Sequence, residues 1–278
     1  MTAPKAKFAG LALIAALCAG VTLGLTAPAW AGVEEGVAAY KRGDYATALR
    51  EWRPLAEEGD AYAQHNLGIT YSNGQGVPQD HAEAFKWYRM AAEQGLPKAQ
   101  NNLGVAYHNG KGVPQDYAEA VGWWRKAAEQ GNANAQYSLG LMYHNGQGVP
   151  QVYAKGLQWL SKAAEQGMAE AQFTLGFMYG YGQGAPQDYA KAMGWYRKAA
   201  EQGHAEAQNN LGGMYVKGLG VLQNYAQAHM WFDLAASRFP PGEKRDSAVK
   251  NRDSVVKWLT PAQLSEAQKL AREWKPKK

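Results

Sequence analysis

The stretch QHNLGITYSNGQGVPQDHAEAFKWY, Gln64 to Tyr88, decides how this 278-residue chain folds. Its centre, Asn73 to Asp80, reads NGQGVPQD, and two glycines one residue apart ahead of a helix start could form a phosphate-binding turn. A dinucleotide fingerprint also needs a preceding strand, a third glycine and a downstream acid. Recurrence settles the matter. The stretch returns as NGKGVPQD from Asn109, NGQGVPQV from Asn145, YGQGAPQD from Tyr181 and KGLGVLQN from Lys217. Leucine followed by glycine falls at 67/68, 103/104, 139/140, 175/176 and 211/212, tyrosine at 71, 107, 143, 179 and 215, and tryptophan at 87, 123, 159, 195 and 231. Every column has a period of 36 residues, so the stretch is a corner of a structural unit present in five copies.

Within a unit the spacing is helical. Ala63, Leu67 and Tyr71 share one face of a first helix over about 61–73, and Ala84, Tyr88, Ala91 and Ala92 share one face of a second over about 80–94. Gly68 and Ala84 are small, so the two backbones can approach closely while Trp87 and Tyr88 fill the space beside them. Gly74 stands where a helix end favours a left-handed residue, Gly76 lets the chain reverse and Pro78 fixes the exit. Asp80, Asp116 and Asp188 are positioned to cap the helices that follow. The last copy, KGLGVLQN, lacks both proline and aspartate, and the corner is expected to be loosest there.

The pattern Gln64-x2-Leu67-Gly68-x2-Tyr71 followed by Ala84-x3-Tyr88 resembles the tetratricopeptide helix hairpin, with glutamine where that motif has tryptophan. The longer period and the G-x-G-V-P corner bring it closer to Sel1-like repeats, whose consensus AEAQNNLGGMY at 205–215 and DYAKAMGWYRKAAEQG at 188–203 resemble. The resemblance covers 61–239, as units 61–96, 97–132, 133–168, 169–204 and 205–239. It implies an all-α fold, a right-handed α-solenoid of stacked hairpins. AAYKRGDYATALREWRPLAEEGD, residues 38–60, is similar to a shortened opening hairpin, here placed at 32–60.

The ends differ from the repeats. Lys5 and Lys7, the apolar run Phe8 to Leu25 and the small-x-small pattern Ala29-Trp30-Ala31 make residues 1–31 a cleavable secretory signal, with cleavage expected after Ala31. This places the mature chain in the periplasm or outside the cell, with no stable membrane insertion. The only cysteine, Cys18, lies inside that segment, which excludes disulfides, thiol nucleophiles and thiolate metal sites from the mature protein. At the other end, residues 240–278 form a C-terminal cap. Pro240-Pro241-Gly242 breaks the last unit, a mixed helix follows over about 243–258, and Thr260-Pro261-Ala262-Gln263 opens another with a sound N-cap. Leu264, Ala267, Leu270, Ala271 and Trp274 give that helix one apolar stripe.

The chain holds 29 basic and 24 acidic residues. Ten of the basic residues and five of the acidic ones lie in 240–278. No basic stripe follows the repeats, which argues against a nucleic-acid partner. The basic end, Trp274 to Lys278, has the charge to touch anionic envelope components, with a short solvated tail as the plainer account.

Residues of a conceivable enzyme each have a plain alternative. Ser247 to Lys250 and Ser254 to Lys257 fit S-x-x-K, and Tyr71-Ser72-Asn73 is similar to the second element of penicillin-recognising enzymes, but the third element, K-T-G, is absent. His108 and His144 occupy one repeat position and could share a metal. The better account is that an imidazole in the last turn bonds free carbonyls and suits the helix dipole. No cofactor and no metal are expected.

By analogy with the tetratricopeptide fold, a concave groove is built from first-helix positions outside the hairpin core. These are His65, Asn66 and Ile69, then Asn101, Asn102, Val105 and His108, then Tyr137, Ser138, Leu141 and His144, then Phe173, Thr174, Phe177 and Tyr181. Aromatic anchors beside amides suit a protein or peptide segment. The plainer reading is that Leu141 and Phe177 pack between helices. The expected function is a non-enzymatic protein–protein interaction scaffold or adaptor of the bacterial cell envelope. The alternative is an envelope hydrolase or a penicillin- or peptidoglycan-binding protein with a cryptic serine.

Overall fold

The computed structural model describes residues 29–277; of the signal expected over 1–31, residues 1–28 lie outside them. Among the described residues there are fourteen α-helices and no strand. An opening hairpin, α1 (Ala29–Lys41) and α2 (Tyr45–Glu57), precedes five more. These are α3 (Ala61–Asn73) with α4 (His81–Glu93), α5 (Pro97–Asn109) with α6 (Tyr117–Glu129), α7 (Ala133–Asn145) with α8 (Tyr153–Glu165), α9 (Ala169–Tyr181) with α10 (Tyr189–Glu201), and α11 (Ala205–Lys217) with α12 (Tyr225–Arg238). Then come α13 (Glu243–Val255), a 3-10 turn over Val256–Trp258 and α14 (Pro261–Glu273). The two helices of each hairpin pack on each other and the second packs on the first helix of the next hairpin, forming an α-solenoid, and α13 and α14 both pack on α12.

The corner sequence sets where helices stop and restart. Gly74 ends α3 at φ 68°, its N–H bonded to Thr70 O, and the Asp80 amide then donates to Tyr71 O at 2.9 Å. The Asp80 carboxylate accepts from the Ala82 and Glu83 amides, both at 2.9 Å, and starts α4. The fifth corner is not looser: Gly218 has φ 66°, the Asn224 amide reaches Tyr215 O at 3.0 Å, and the Asn224 side chain caps Gln227 N at 3.0 Å. Asparagine accepts as aspartate does, so losing the acid costs the corner nothing it needs. Among the second helices of the hairpins, the start without a side-chain cap is that of α8, where Val152 occupies the cap position.

The second glycine of the corner does more than reverse the chain. A Cβ at Gly112 would lie 2.0 Å from His81 O, and one at Gly148 would lie 2.3 Å from Tyr117 O. Each corner is thus pressed onto the start of the preceding repeat's second helix, where only glycine fits. Glycine also sets the spacing inside a hairpin. The ring of Tyr88 lies 2.5 Å from where a Gly68 Cβ would stand, and Trp124, Leu160, Tyr196 and Phe232 face Gly104, Gly140, Gly176 and Gly212 in the same way. These side chains fill the hairpin, and of the tryptophan column only Trp231 is as buried as they are. Trp87, Trp123, Trp159 and Trp195 are half-buried, and Lys126, Lys162 and Lys198 lie over the last three rings at 3.9 to 4.2 Å. Around them run fully buried Leu67, Leu103, Leu139, Leu175 and Leu211, each worth about 2 kcal/mol of transfer free energy.

Glutamines tie the repeats together. Gln64, Gln100, Gln136, Gln172 and Gln208 donate to Ala56, Ala92, Ala128, Ala164 and Ala200 O at 3.0 to 3.2 Å. The first four accept in turn from Gln94, Gln130, Gln166 and Gln202 at 2.7 to 2.9 Å. A third column, Gln79, Gln115, Gln151, Gln187 and Gln223, caps a carbonyl at the end of each first helix, at 2.7 to 2.8 Å.

The basic tail is not a free solvated segment. Trp274 lies under Arg238 at 4.3 Å, and Lys277 bonds Glu201 through its amide at 2.8 Å and its Nζ at 2.9 Å. An aromatic ring at the end of α14 gives the tail an anchor that its charges alone do not supply.

Candidate functional site

The first helices α3, α5, α7, α9 and α11, continued by α13, form one wall of the solenoid. The fold does not treat its residues alike. His65 is buried, and Asn102 Nδ2 lies 3.2 Å from its Nε2. Burial, with Lys98 nearby, pulls the imidazole down to about 4. Asn101 turns its Oδ1 inward without a partner while its carbonyl accepts from Trp124 Nε1 at 3.2 Å. Ile69, Tyr137, Phe173 and Phe177 pack against the core from its edge, Phe173 stacking on His204 at 4.7 Å and Phe177 meeting Tyr181 with tilted rings at 4.5 Å. Burial raises the Tyr137 hydroxyl, which Thr174 partly offsets by a hydrogen bond. Asn66 and Leu141 are half-buried, whereas Val105 is 37% and Tyr181 68% exposed.

His108 and His144 do not bond the free carbonyls expected of them, because Gln115 and Gln151 already take those oxygens. Their Nδ1 atoms instead meet Asn109 and Asn145 at 3.0 and 2.9 Å, and His144 Nε2 meets Gln183 at 2.8 Å. Each ring also faces a tyrosine of its own hairpin, His108 on Tyr117 and His144 on Tyr153. Among the described residues no cluster of three His, Cys, Asp or Glu side chains could hold a metal ion. Ser254 Oγ donates to Asn251 O at 2.7 Å within its own helix, and Lys257 lies over the Trp258 ring at 5.3 Å. Neither contact is the hydroxyl–base hydrogen bond that nucleophilic chemistry needs.

Three clefts open on this wall. One of about 160 Å³ lies between the first two repeats, with Ser72, His81, Tyr88, Asn102 and Val105 in its lining. A second, of about 550 Å³, lies where the fourth and fifth repeats meet α13, around Tyr181, Tyr189, Asn209, Asn210, Lys217 and Asn251. The third, of about 420 Å³, continues from Asn209 and Asn210 to Phe173, Glu206, Glu243 and Lys244. Of the sequence-derived residues, the clefts bring in Asn102, Val105, Phe173 and Tyr181. They add Asn209, Asn210, Gly213 and Lys217, which one further step of the period reaches from Phe173, Thr174, Phe177 and Tyr181. Asn251 and Ser254 belong to no repeat, and no periodic signal leads to them.

The Sel1 repeat model matches residues 61–96, 97–132, 133–168, 169–204 and 205–238. Two solved structures are similar over most of the chain. The crystal structure of c5321, a protective antigen of uropathogenic Escherichia coli strains, is 38% identical over 88% of this chain and 54% of its own, with a TM-score of 0.78. The chain thus spans about half of that antigen. A Sel1 repeat protein from Oxalobacter formigenes is 31% identical over 89% of this chain and 99% of its own, with a TM-score of 0.73. No curated protein matches the chain. Five tandem matches on five hairpins of one geometry place the chain in the Sel1 repeat family.

Proposed function

We propose that this protein is an exported, non-enzymatic interaction scaffold of the bacterial envelope that binds a segment of another protein along its first-helix wall. The observation that carries the reading is the run of clefts on that wall, lined by amides and aromatic rings. Such linings combine rigid apolar contact with adaptable hydrogen bonding, and solenoids use an extended face of this kind for binding. Export rests on the three-part signal at 1–31, and a relative described as a protective antigen fits that location. No helix among the described residues is long and apolar enough to cross a membrane.

The test is photocrosslinking in intact cells from positions 105 and 181, with mass spectrometry of the captured partner and of the mature N-terminus. Val105→Asp and Tyr181→Ala, both at exposed positions, should each lower capture at least tenfold while the helical circular dichroism stays unchanged. Unchanged capture by both variants would remove the wall from the binding site. A mature chain that retains its first 31 residues would refute cleavage after Ala31.

A further inference from the structure

The two larger clefts share Asn209 and Asn210, so they are one groove. Along α11 its floor is Glu206, Asn209, Asn210, Gly213 and Lys217, a stripe at helical spacing. The facing wall on α13 is Glu243, Lys244, Ser247, Asn251 and Ser254. Residue 206 meets 243, 244 and 247 while 213 and 217 share a cleft with 251 and 254, so α11 and α13 run in the same direction. From Glu206 to Lys217 the floor rises about 17 Å, the span of about five residues of extended chain.

The groove is polarised. Glu206 is neutralised by Lys244 at 2.8 Å, which leaves Glu243, exposed and without an ion pair among the described residues, as the net charge of one end. Lys217 is the only charged residue lining the other end and likewise makes no ion pair among the described residues. Midway, Asn251 Nδ2 donates to Asn209 Oδ1 at 3.1 Å. That bond orients both amides, leaving Asn209 Nδ2 as a donor and Asn251 Oδ1 as an acceptor for a ligand. A peptide group offers one C=O and one N–H, the complement of such a pair. Tyr181 stands mostly exposed at the Lys217 end beside Tyr189. At the groove's centre a Cβ on Gly213 would meet nothing within 4 Å, so the floor there is open.

The geometry points to one occupant: an extended peptide of about five residues laid along α11. Its acidic side chain or terminal carboxylate meets Lys217, an aromatic or aliphatic residue sits against Tyr181 and Tyr189, and a basic group meets Glu243. A neutral saccharide would also suit rings and amides, but it leaves both end charges without a counterpart. The assignment rests on the proposed function and adds to it the place, direction and charge order of the bound segment.

The probe is a library of random heptapeptides displayed on phage and selected on the immobilised mature chain. Enriched sequences should carry an acid and a base at opposite ends with an apolar residue between them. Selection on Lys217→Glu should replace the acid with a base. Fluorescence polarisation of an enriched peptide should show a loss of at least tenfold for Gly213→Leu, which fills open space on a helix and so keeps the fold, and for Asn209→Leu combined with Asn251→Leu. Enrichment without charge order, an order unmoved by Lys217→Glu, or no enrichment at all would overturn the assignment. So would binding of tri-N-acetylchitotriose that Gly213→Leu abolishes while no peptide is enriched, in favour of a saccharide. Crosslinked capture that persists in cells through any of those outcomes leaves the scaffold reading standing and removes only this groove. Capture left unchanged by both Val105→Asp and Tyr181→Ala removes the reading itself.

Discussion

Between the third and fourth repeats, Gln202 donates to Gly167 O and to Gln172, which in turn holds Ala164 O. Between the fourth and fifth, Gln208 still holds Ala200 O, but Arg238 stands where the next glutamine would be, and Gln208 Oε1 is buried without a partner. Arg238 turns instead to the ring of Trp274, and Lys277 closes on Glu201 at the end of α10. A side-chain amide supplies donor and acceptor together, so one residue type can tie a joint and be copied. At the last joint the fifth repeat carries an arginine where its own partner glutamine would stand, and a tail from the cap covers the site with stacking and charge. The same change of partner opens the large groove, since α13 approaches α11 with its own residues, not with a repeat's.

The largest effect tests what the two joints share. Gly184 is pressed onto Tyr153 O and Gly220 onto Tyr189 O, with Cβ positions at 2.6 and 2.4 Å, both at positive φ. Replacing either by alanine combines a forced left-handed conformation with a backbone clash, about 4 kcal/mol in urea unfolding. Equal losses keep the corner as the common element of both joints. A Gly220→Ala change costing less than half of Gly184→Ala would show the last joint resting mainly on the tail.

Acid should separate the joints next. His65 is held neutral between α3 and α5, facing the ring of Tyr88 and the amide of Asn102, with its pKa lowered to about 4 by burial. His204, which accepts the Ala207 amide at the start of α11, is also lowered by burial, against the pull of Glu206. A lowered histidine means the unfolded chain binds the proton first, so stability is full above about pH 6.5 and falls as pH drops toward 4. For His65 the loss reaches about 3 kcal/mol. Hydrogen exchange at pH 4.5 should therefore loosen α3, α5 and α11 before α7 and α9, where Asn132 and Met168 stand in the place of His204. His65→Leu should flatten the first part of that profile, and uniform loosening would contradict it.

A smaller effect goes to the amides themselves. Gln172→Leu removes the bonds to Ala164 O and from Gln202, while Ala164 O keeps the Gly167 amide, and should cost about 2 kcal/mol, about 1 for each lost hydrogen bond. Gln208→Leu removes one bond to Ala200 O, which keeps the Gly203 amide, together with an acceptor that is already unpaired, so it should cost less than about 1 kcal/mol. Equal costs in thermal unfolding would mean that Arg238 serves the fifth repeat as well as a glutamine would.

Those amides also mark the limit of what sequence conveys here. The hairpins were legible because Leu67, Gly68 and Tyr71 each state one packing constraint five times over. The glutamine columns are as periodic, yet a glutamine in register says nothing of which carbonyl it meets, and Gln64 reads only as a replacement for tryptophan. The same gap explains His108 and His144, whose carbonyls are claimed by glutamines seven residues on. On the candidate wall, Val105 and Tyr181 were legible as exposed positions of the period. Asn101 shares that period but turns inward, since the rotation of a side chain is settled by its neighbours. Asn251, Ser254 and Trp274 occur once, so no repetition could point to them.

The smallest effect asks whether the inner repeats are as uniform as their glutamines suggest. At the start of α6, Asp116 accepts from the Ala118 and Glu119 amides at 2.9 and 3.0 Å. At the start of α8, Val152 accepts nothing through its side chain, and the Lys155 amide falls back on Val152 O at 3.0 Å. An aspartate there would gain the Ala154 amide and release Lys155 from that tighter turn. Val152→Asp should therefore stabilise the protein by about 1 kcal/mol, and Asp116→Val should destabilise it by a similar amount. Because α8 carries the fully buried Leu160 against Gly140, the gain should appear as slower hydrogen exchange across α7 and α8 together. A gain confined to the first turn of α8 would mean that the hairpin is held by its packing alone, and that the missing cap marks a tolerance of the inner repeats rather than a weak point.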